Sequence, residues 1–324
     1  MNFGSFFNQT LGPLGFDVLP NRYHAYNGAY DQQQGWPLQL IMPEFAQNTL
    51  AVVHFPDFVT IRDNRVLELE KVEQFYKQHC RQVLVTHWTD DLDKIYQGPL
   101  NLVKFSNHNY DMANALAGSY DSWKHIHSAP KTQAWQCLNG RICPHRQNVA
   151  YKMQELNNGW LSLGNEIALP EYNYQSYFGC ENLPNFLSLL YVYGSAPVNI
   201  VTETEYAPPV GIITEKTQMA IAAQQIPVVI GYRGIVEHCR RMGFDMFDDV
   251  VNNSYDDLPN ETRWQAALEL NWHLFQQPID LEPYRRRLER NMIRLLWQLP
   301  SSMETAFVAQ ARALADQLLP GYGP

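Results

Sequence analysis

The stretch that most restricts the fold is Gly211-Ile-Ile-Thr-Glu-Lys-Thr-Gln-Met-Ala-Ile-Ala-Ala-Gln-Gln-Ile-Pro-Val-Val-Ile-Gly231. A helix begins near Thr214 and runs into a fully apolar strand over 226–230. The small apolar run Ala220-Ile-Ala-Ala223 lets that helix pack close to a sheet. Thr214 has the side chain of a helix N-cap, and Glu215 in the first turn complements the helix dipole. Acids at helix starts are routine for that reason alone. The same positions also meet the needs of a ligand. A helix N-terminus offers free backbone N–H groups to a phosphate. Lys216 adds a point charge suited to a diphosphate. Glu215 can accept hydrogen bonds from two ribose hydroxyls. Together they suit a nucleotide, and most directly a nucleotide-sugar.

Alternating apolar segments extend this picture along the chain. Strands are expected at 50–55, 82–86 and 102–105, with helices at 66–79, 90–96 and 110–117. Pro130 marks a crossing point, and the alternation resumes beyond it. Strands follow at 134–138, 160–163, 198–202 and 226–230, and helices at 146–156, from 215, and at 234–242. After Gly243 the chain reads as helical, over 261–275, 281–297 and 302–319. Residues 1–48, rich in Gly, Pro, Asn, Gln and Tyr, read as loops. Such alternation is the sign of parallel α/β domains. The expectation is two Rossmann-like domains in tandem, 1–130 and 131–324, the second carrying closing helices. Ligands of open α/β sheets sit beyond the carboxyl ends of the strands, which here means the cleft between the two domains.

Composition bounds the function. A chain of 324 residues with 45% hydrophobic and 18% charged residues is a soluble globular protein of two ordinary domains. Its formal net charge of −9 argues against a protein that coats nucleic acid. One basic window stands out, since no acid lies between Asp121 and Glu155. It holds Lys124, Lys131, Arg141, Arg146 and Lys152, with His125, His127 and His145. It is either a solvated basic face or an anion-binding wall. The cysteines, Cys80, Cys137, Cys143, Cys180 and Cys239, lack zinc-site spacing and read as reduced thiols in a cytoplasmic compartment, the host cytoplasm for a viral chain. No run of eighteen apolar residues or signal peptide is seen, so no membrane span is expected.

Further candidates lie at strand ends. Asn139-Gly-Arg-Ile-Cys-Pro-His-Arg146 follows a strand and precedes a helix. Arg141 and Arg146 present fork-shaped donors suited to phosphate oxygens, and Pro144 is preset for a helix start. The plain alternative is a linker with surface charges. Strand ends of the first domain also offer general-base candidates, a carboxylate or histidine able to take a proton from a hydroxyl. His87 and Asp90, with Asp57 behind them, follow strands of the first domain, although Asp90 serves equally as a helix cap. The basic stripe Pro283-Tyr-Arg-Arg-Arg-Leu-Glu-Arg290, with Arg294 beyond, is a solvated face with Glu–Arg pairs, or a landing strip for a phosphate backbone.

Three blocks then carry a resemblance. They are strand–Asn139-x-Arg141–Pro144-His-Arg146–helix, Val198-Asn-Ile-Val-Thr-Glu203, and Ile213-Thr-Glu-Lys-Thr217. With Pro227-Val-Val-Ile-Gly231, Gly243-Phe-Asp-Met-Phe247 and Ser254-Tyr-Asp256, they resemble a group of phage- and virus-type glycosyltransferases. The Thr-Glu-Lys core is also similar to the nucleotide-binding motif of family 10 α-1,3-fucosyltransferases. The likeness covers roughly residues 80–275, specific in the second lobe and thin in the first. It implies a GT-B fold of two facing Rossmann-like domains, with the donor on the C-terminal lobe and the acceptor on the N-terminal lobe. By that resemblance Glu215 holds the ribose, Lys216 and Arg141 the diphosphate, and Glu203 touches the sugar or lines the cleft. No cofactor and no protein-bound metal are implied. Gln218-Met219 and Gln224-Gln225 depart from the group's pattern and leave the sugar open. The implied activity moves a sugar from a nucleoside diphosphate to a hydroxyl of a glycan, protein or lipid-sugar. Two alternatives stand beside it: a phage DNA glycosyltransferase acting on hydroxymethylated pyrimidines, and a non-catalytic GT-B-like binding or virion protein.

Overall fold

Two short runs, Val198–Thr202, with three apolar residues, and Ile226–Ile230, apolar throughout, are buried along their whole length. Strands with this pattern need cover on both faces, as parallel sheets in α/β folds receive from their crossover helices. The computed structural model describes residues 98–169, 182–204, 206 and 213–318, with five strand segments before residue 98 and the single residues Glu73 and Tyr96. It forms two compact units, Met1–His108 with Ser302–Pro324, and Asn109–Ser301. The sequence reading sets its boundary at residue 130. The compact units change at residue 108, and the chain from Ser302 onward counts with the first.

Unit 1 contains a parallel sheet. Its strands are β1 (Phe16–Val18) and β2 (Leu50–His54), then β5 (Gln82–His87) and β6 (Asn101–Lys104), beyond the two-residue antiparallel pair β3 (Ile61–Arg62) and β4 (Arg65–Val66). The order is β1-β2-β5-β6, with every pairing parallel. β1 falls where loops are expected, because three residues show no period. Of the helix expected at 66–79 only Glu73 is described, and it is helical. That at 90–96 lies outside the described residues save for Tyr96.

Unit 2 has strands β7 (Trp135–Asn139), β8 (Gly159–Leu163), β9 (Val198–Thr202) and β10 (Ile226–Ile230), all parallel in the order β10-β9-β7-β8. Its helices are α1 (Asn107–Gly118), which starts at the unit boundary, α2 (Tyr120–Trp123), α3 (Pro144–Met153), α4 (Leu183–Ser188), α5 (Leu190–Ser195), α6 (Glu215–Ala222), α7 (Ile235–Arg241), α8 (Asn260–Leu270) and α9 (Arg285–Ile293). A π-helical turn, Arg294–Gln298, leads into α10 (Leu299–Leu318). Among the described residues no helix is long and apolar enough to cross a membrane.

The strand order places the site. The crossover β7–α3–β8 moves one way along the sheet, and β9–α6–β10 moves the other. Right-handed crossovers in opposite directions put their helices on opposite faces. α8 packs against α3 and α9 against α6. The reversal lies between β7 and β9, which pair through Trp135↔Val198 and Gln136↔Asn199. At the other end of these strands Thr202 Oγ1 donates to Asn139 Oδ1. Such a reversal opens a crevice beyond the carboxyl ends of the strands.

The opposite edge of the sheet is closed by amides. Gln225 Oε1 accepts from Gln136 Nε2 (3.1 Å) and Asn199 Nδ2 (2.9 Å), while its Nε2 donates to the carbonyls of Tyr193 and Ala196. Gln225 therefore satisfies buried polar groups at the amino ends of β7 and β9, away from the carboxyl ends where a ligand would sit.

Candidate functional site

The N-terminus of α6 forms as its sequence directs. Thr214 is extended (φ −97°, ψ 178°), and its hydroxyl accepts from the Lys216 N–H at 3.4 Å. Glu203, just past β9, fixes this helix end. Its Oε1 accepts from Thr214 N (3.1 Å) and Thr217 Oγ1 (2.6 Å), and its Oε2 accepts from Thr214 Oγ1. Glu203 is fully buried. The resemblance implies that it touches the sugar or lines the cleft. In the structure its carboxylate faces inward and clasps α6 to the end of β9. Gly231 allows this approach, since a Cβ there would lie 3.0 Å from Glu203 Cβ.

Glu215 and Lys216 are together at that end. Lys216 Nζ lies 2.7 Å from Glu215 Oε1. It also makes two long contacts, 3.3 Å to Thr214 Oγ1 and 3.4 Å to Thr204 Oγ1. Glu215 is nearly buried, and the Lys216 side chain is 22% exposed.

Arg146 enters from α3, on the other side of the reversal. It is 1% exposed, and its Nε and Nη2 both donate to Thr202 O (3.2 and 3.0 Å). Nη2 also reaches Thr204 Oγ1 at 3.1 Å. Two cations from helices on opposite faces thus converge on one hydroxyl. Arg141 is exposed in the preceding loop. The remaining members of the basic window do not form one wall. Lys124 pairs with Asp121, Lys131 donates to Gly194 O, and Lys152 pairs with Glu155 at the far end of α3.

His145 sits beside Arg146. Its Nε2 is 2.9 Å from Glu203 O, and a carbonyl only accepts, so Nε2 carries the proton. Nδ1 is then an acceptor, and the Cys143 thiol lies 3.7 Å from it. The ring stacks on Tyr206 with centroids 4.4 Å apart and planes 6° from parallel. Burial first, then the charges of Arg146 and Arg263, push the His145 pKa down to about 4 against the opposing pull of the Glu203 carbonyl.

Sequence reasoning misses three of these groups. Arg263 of α8 is fully buried. It donates to the carbonyls of Gly231 (2.9 Å), Leu258 and Tyr206, and lies 4.7 Å from the Tyr206 ring centroid. Its signal was an arginine sharing a helix face with Ala267, both buried. Tyr206 and Thr204 carried no local signal. Of the proposed bases, His87 closes β5 opposite Lys104, with its side chain outside the described residues. Asp57 and Asp90 lie wholly outside them. Among the described residues no group of three or more His, Cys, Asp or Glu side chains is placed to hold a metal.

Comparison with protein-family models, curated proteins and solved structures finds no match to this chain.

Proposed function

We propose that this chain is a glycosyltransferase that moves a sugar from a nucleoside diphosphate to a hydroxyl acceptor, with unit 2 binding the donor. The observation that carries this reading is the convergence of Glu215, Lys216 and the N-terminus of α6 on the sheet reversal. On this reading the ribose diol takes the oxygens of Glu215, and the diphosphate takes Lys216 and the helix end. Exposed Arg141 reaches the same diphosphate from the loop after β7. Catalysis then rests on positioning and on neutralising the leaving diphosphate. A GT-B arrangement belongs to the proposal, with unit 1 binding the acceptor and, for an inverting transfer, supplying a base among His87, Asp90 and Asp57.

A glycan, protein or lipid-sugar acceptor is favoured over DNA. The basic stripe that would follow a phosphate backbone is largely engaged: Arg285 pairs with Glu282, Arg287 with Asp245 and Asp249, and Arg294 donates to Met242 O. The test is a thermal-shift screen of UDP-, GDP-, dTDP- and ADP-sugars, with a CMP-sugar as the monophosphate control, followed by assay of nucleoside diphosphate release. One donor should raise the melting temperature, because a ligand of the folded form stabilises it. It should also be slowly hydrolysed, and both effects should vanish in Glu215→Ala and Lys216→Ala. A wild-type protein that neither binds nor turns over any donor would falsify the reading.

A further inference from the structure

The geometry points to Thr204 as a direct ligand of the donor's phosphoryl oxygens, a role that rests on the donor-site reading above. A threonine hydroxyl has one proton and two acceptor lone pairs. Thr204 Oγ1 accepts from Arg146 Nη2 at 3.1 Å and from Lys216 Nζ at 3.4 Å. Both acceptor directions are used, so the hydroxyl proton has to point elsewhere. No acceptor receives it among the described residues, and the residue is half-buried at the carboxyl end of β9. It is a donor without a described acceptor, at the reversal between β7 and β9, where open α/β sheets bind ligands.

Two charged donors polarise that O–H group, and polarised donors form the stronger hydrogen bonds to anions. Arg146 is 1% exposed and has no carboxylate hydrogen-bonded to it among the described residues. It therefore acts on the ligand through Thr204. Lys216 keeps its contact with Thr204 and acts directly by exchanging its long contact with Thr214 Oγ1 for a phosphoryl oxygen. The carboxylates of Glu203 and Glu215 balance the two cations in number, so the recognition is directional. The ligand must be an acceptor-only anion with oxygens on one centre, as in a phosphoryl group. Neighbouring α7 is not equivalent. Its first turn is already occupied by Asp256, whose oxygens accept from Val236 N and Glu237 N at 3.1 Å each.

The experiment is titration calorimetry of the full chain with inorganic pyrophosphate and with UDP and GDP, using wild type, Thr204→Val, Thr204→Ser and Lys216→Ala. Melting temperatures are recorded for each variant. Thr204→Val, which keeps the shape and loses the hydroxyl, should weaken pyrophosphate binding about tenfold, the size of one hydrogen bond to a charged group. Thr204→Ser should restore it to within about twofold, by the same hydrogen-bond reasoning. Pyrophosphate affinity of Thr204→Val equal to wild type overturns the role of Thr204. If Lys216→Ala still abolishes binding in that case, the donor site survives without it. If Thr204→Ser binds as weakly as Thr204→Val while both melt like wild type, the hydroxyl is again excluded. If wild type binds neither pyrophosphate nor either nucleotide, this inference is overturned, and the donor-site reading falls with it when the full donor screen is negative too.

Discussion

The two parallel four-stranded sheets of this chain differ in the order of their strands. In unit 1 the strands lie across the sheet in the order in which the chain makes them, β1-β2-β5-β6. In unit 2 the order is β10-β9-β7-β8, and the chain reverses direction between β7 and β9. A sheet without reversal brings no two helix N-termini together from opposite faces. The reversed sheet does so at one point. There Arg146 of α3 and Lys216 of α6 meet on Thr204. The same topology that closes the core gathers these donors and the carboxylates of Glu203 and Glu215 at one set of strand ends.

Three measurements sharpen or break this contrast. The largest effect is expected for Glu203→Ala. It strips the acceptor from three buried donors, Thr214 N, Thr214 Oγ1 and Thr217 Oγ1. Unfolding in urea should show a loss of about 4 kcal/mol, since three buried donors lose their acceptor at once. A loss below about 0.5 kcal/mol, the size of an ordinary surface substitution, would mean that α6 is not held by this clasp.

Next comes the pH dependence set by His145. Its folded pKa of about 4 lies below the ordinary 6.5, so between these values the unfolded chain binds the extra proton. Stability from this group falls as pH drops from 6.5 and is fully lost below about 4, a difference of about 3 kcal/mol. His145→Gln should remove that part of the slope. Parallel curves for the two proteins would place the titration elsewhere.

The smallest effect is expected at α7. Asp256→Ala removes a carboxylate cap from Val236 and Glu237, which should cost about 1–2 kcal/mol. It should leave nucleotide binding unchanged. Loss of binding in that variant would make α7, rather than α6, the donor helix.

Much of this was legible in the sequence, for reasons that can be named. β9 and β10 are found at the expected residues because Val198, Ile200 and Val201 in β9 and the five apolar residues of β10 suit strands covered on both faces. The start of α6 was written in Thr214, whose side chain caps it as its chemistry predicts. The mixed α/β character with parallel sheets followed from the alternation. Other features depended on distant partners. Arg146 reads as a phosphate fork, yet its guanidinium is spent on Thr202 O, 56 residues away. Glu203 reads as a sugar ligand, yet its partners are 11 and 14 residues further on. α4 and α5 were missed because 183–195 is apolar with no clear period, in a stretch buried through Phe186, Val192 and Tyr193.

The central claim is that a nucleoside diphosphate is held at the reversal of unit 2. Hydrogen exchange of the full chain, with and without the nucleotide found in the donor screen, tests it most directly. The account predicts slowed exchange at 139–146 and 203–217, with no change at 235–237 or at the ends of β2 and β5. Protection at the strand ends of unit 1 or at the start of α7, with none around Thr204 and Lys216, would contradict it.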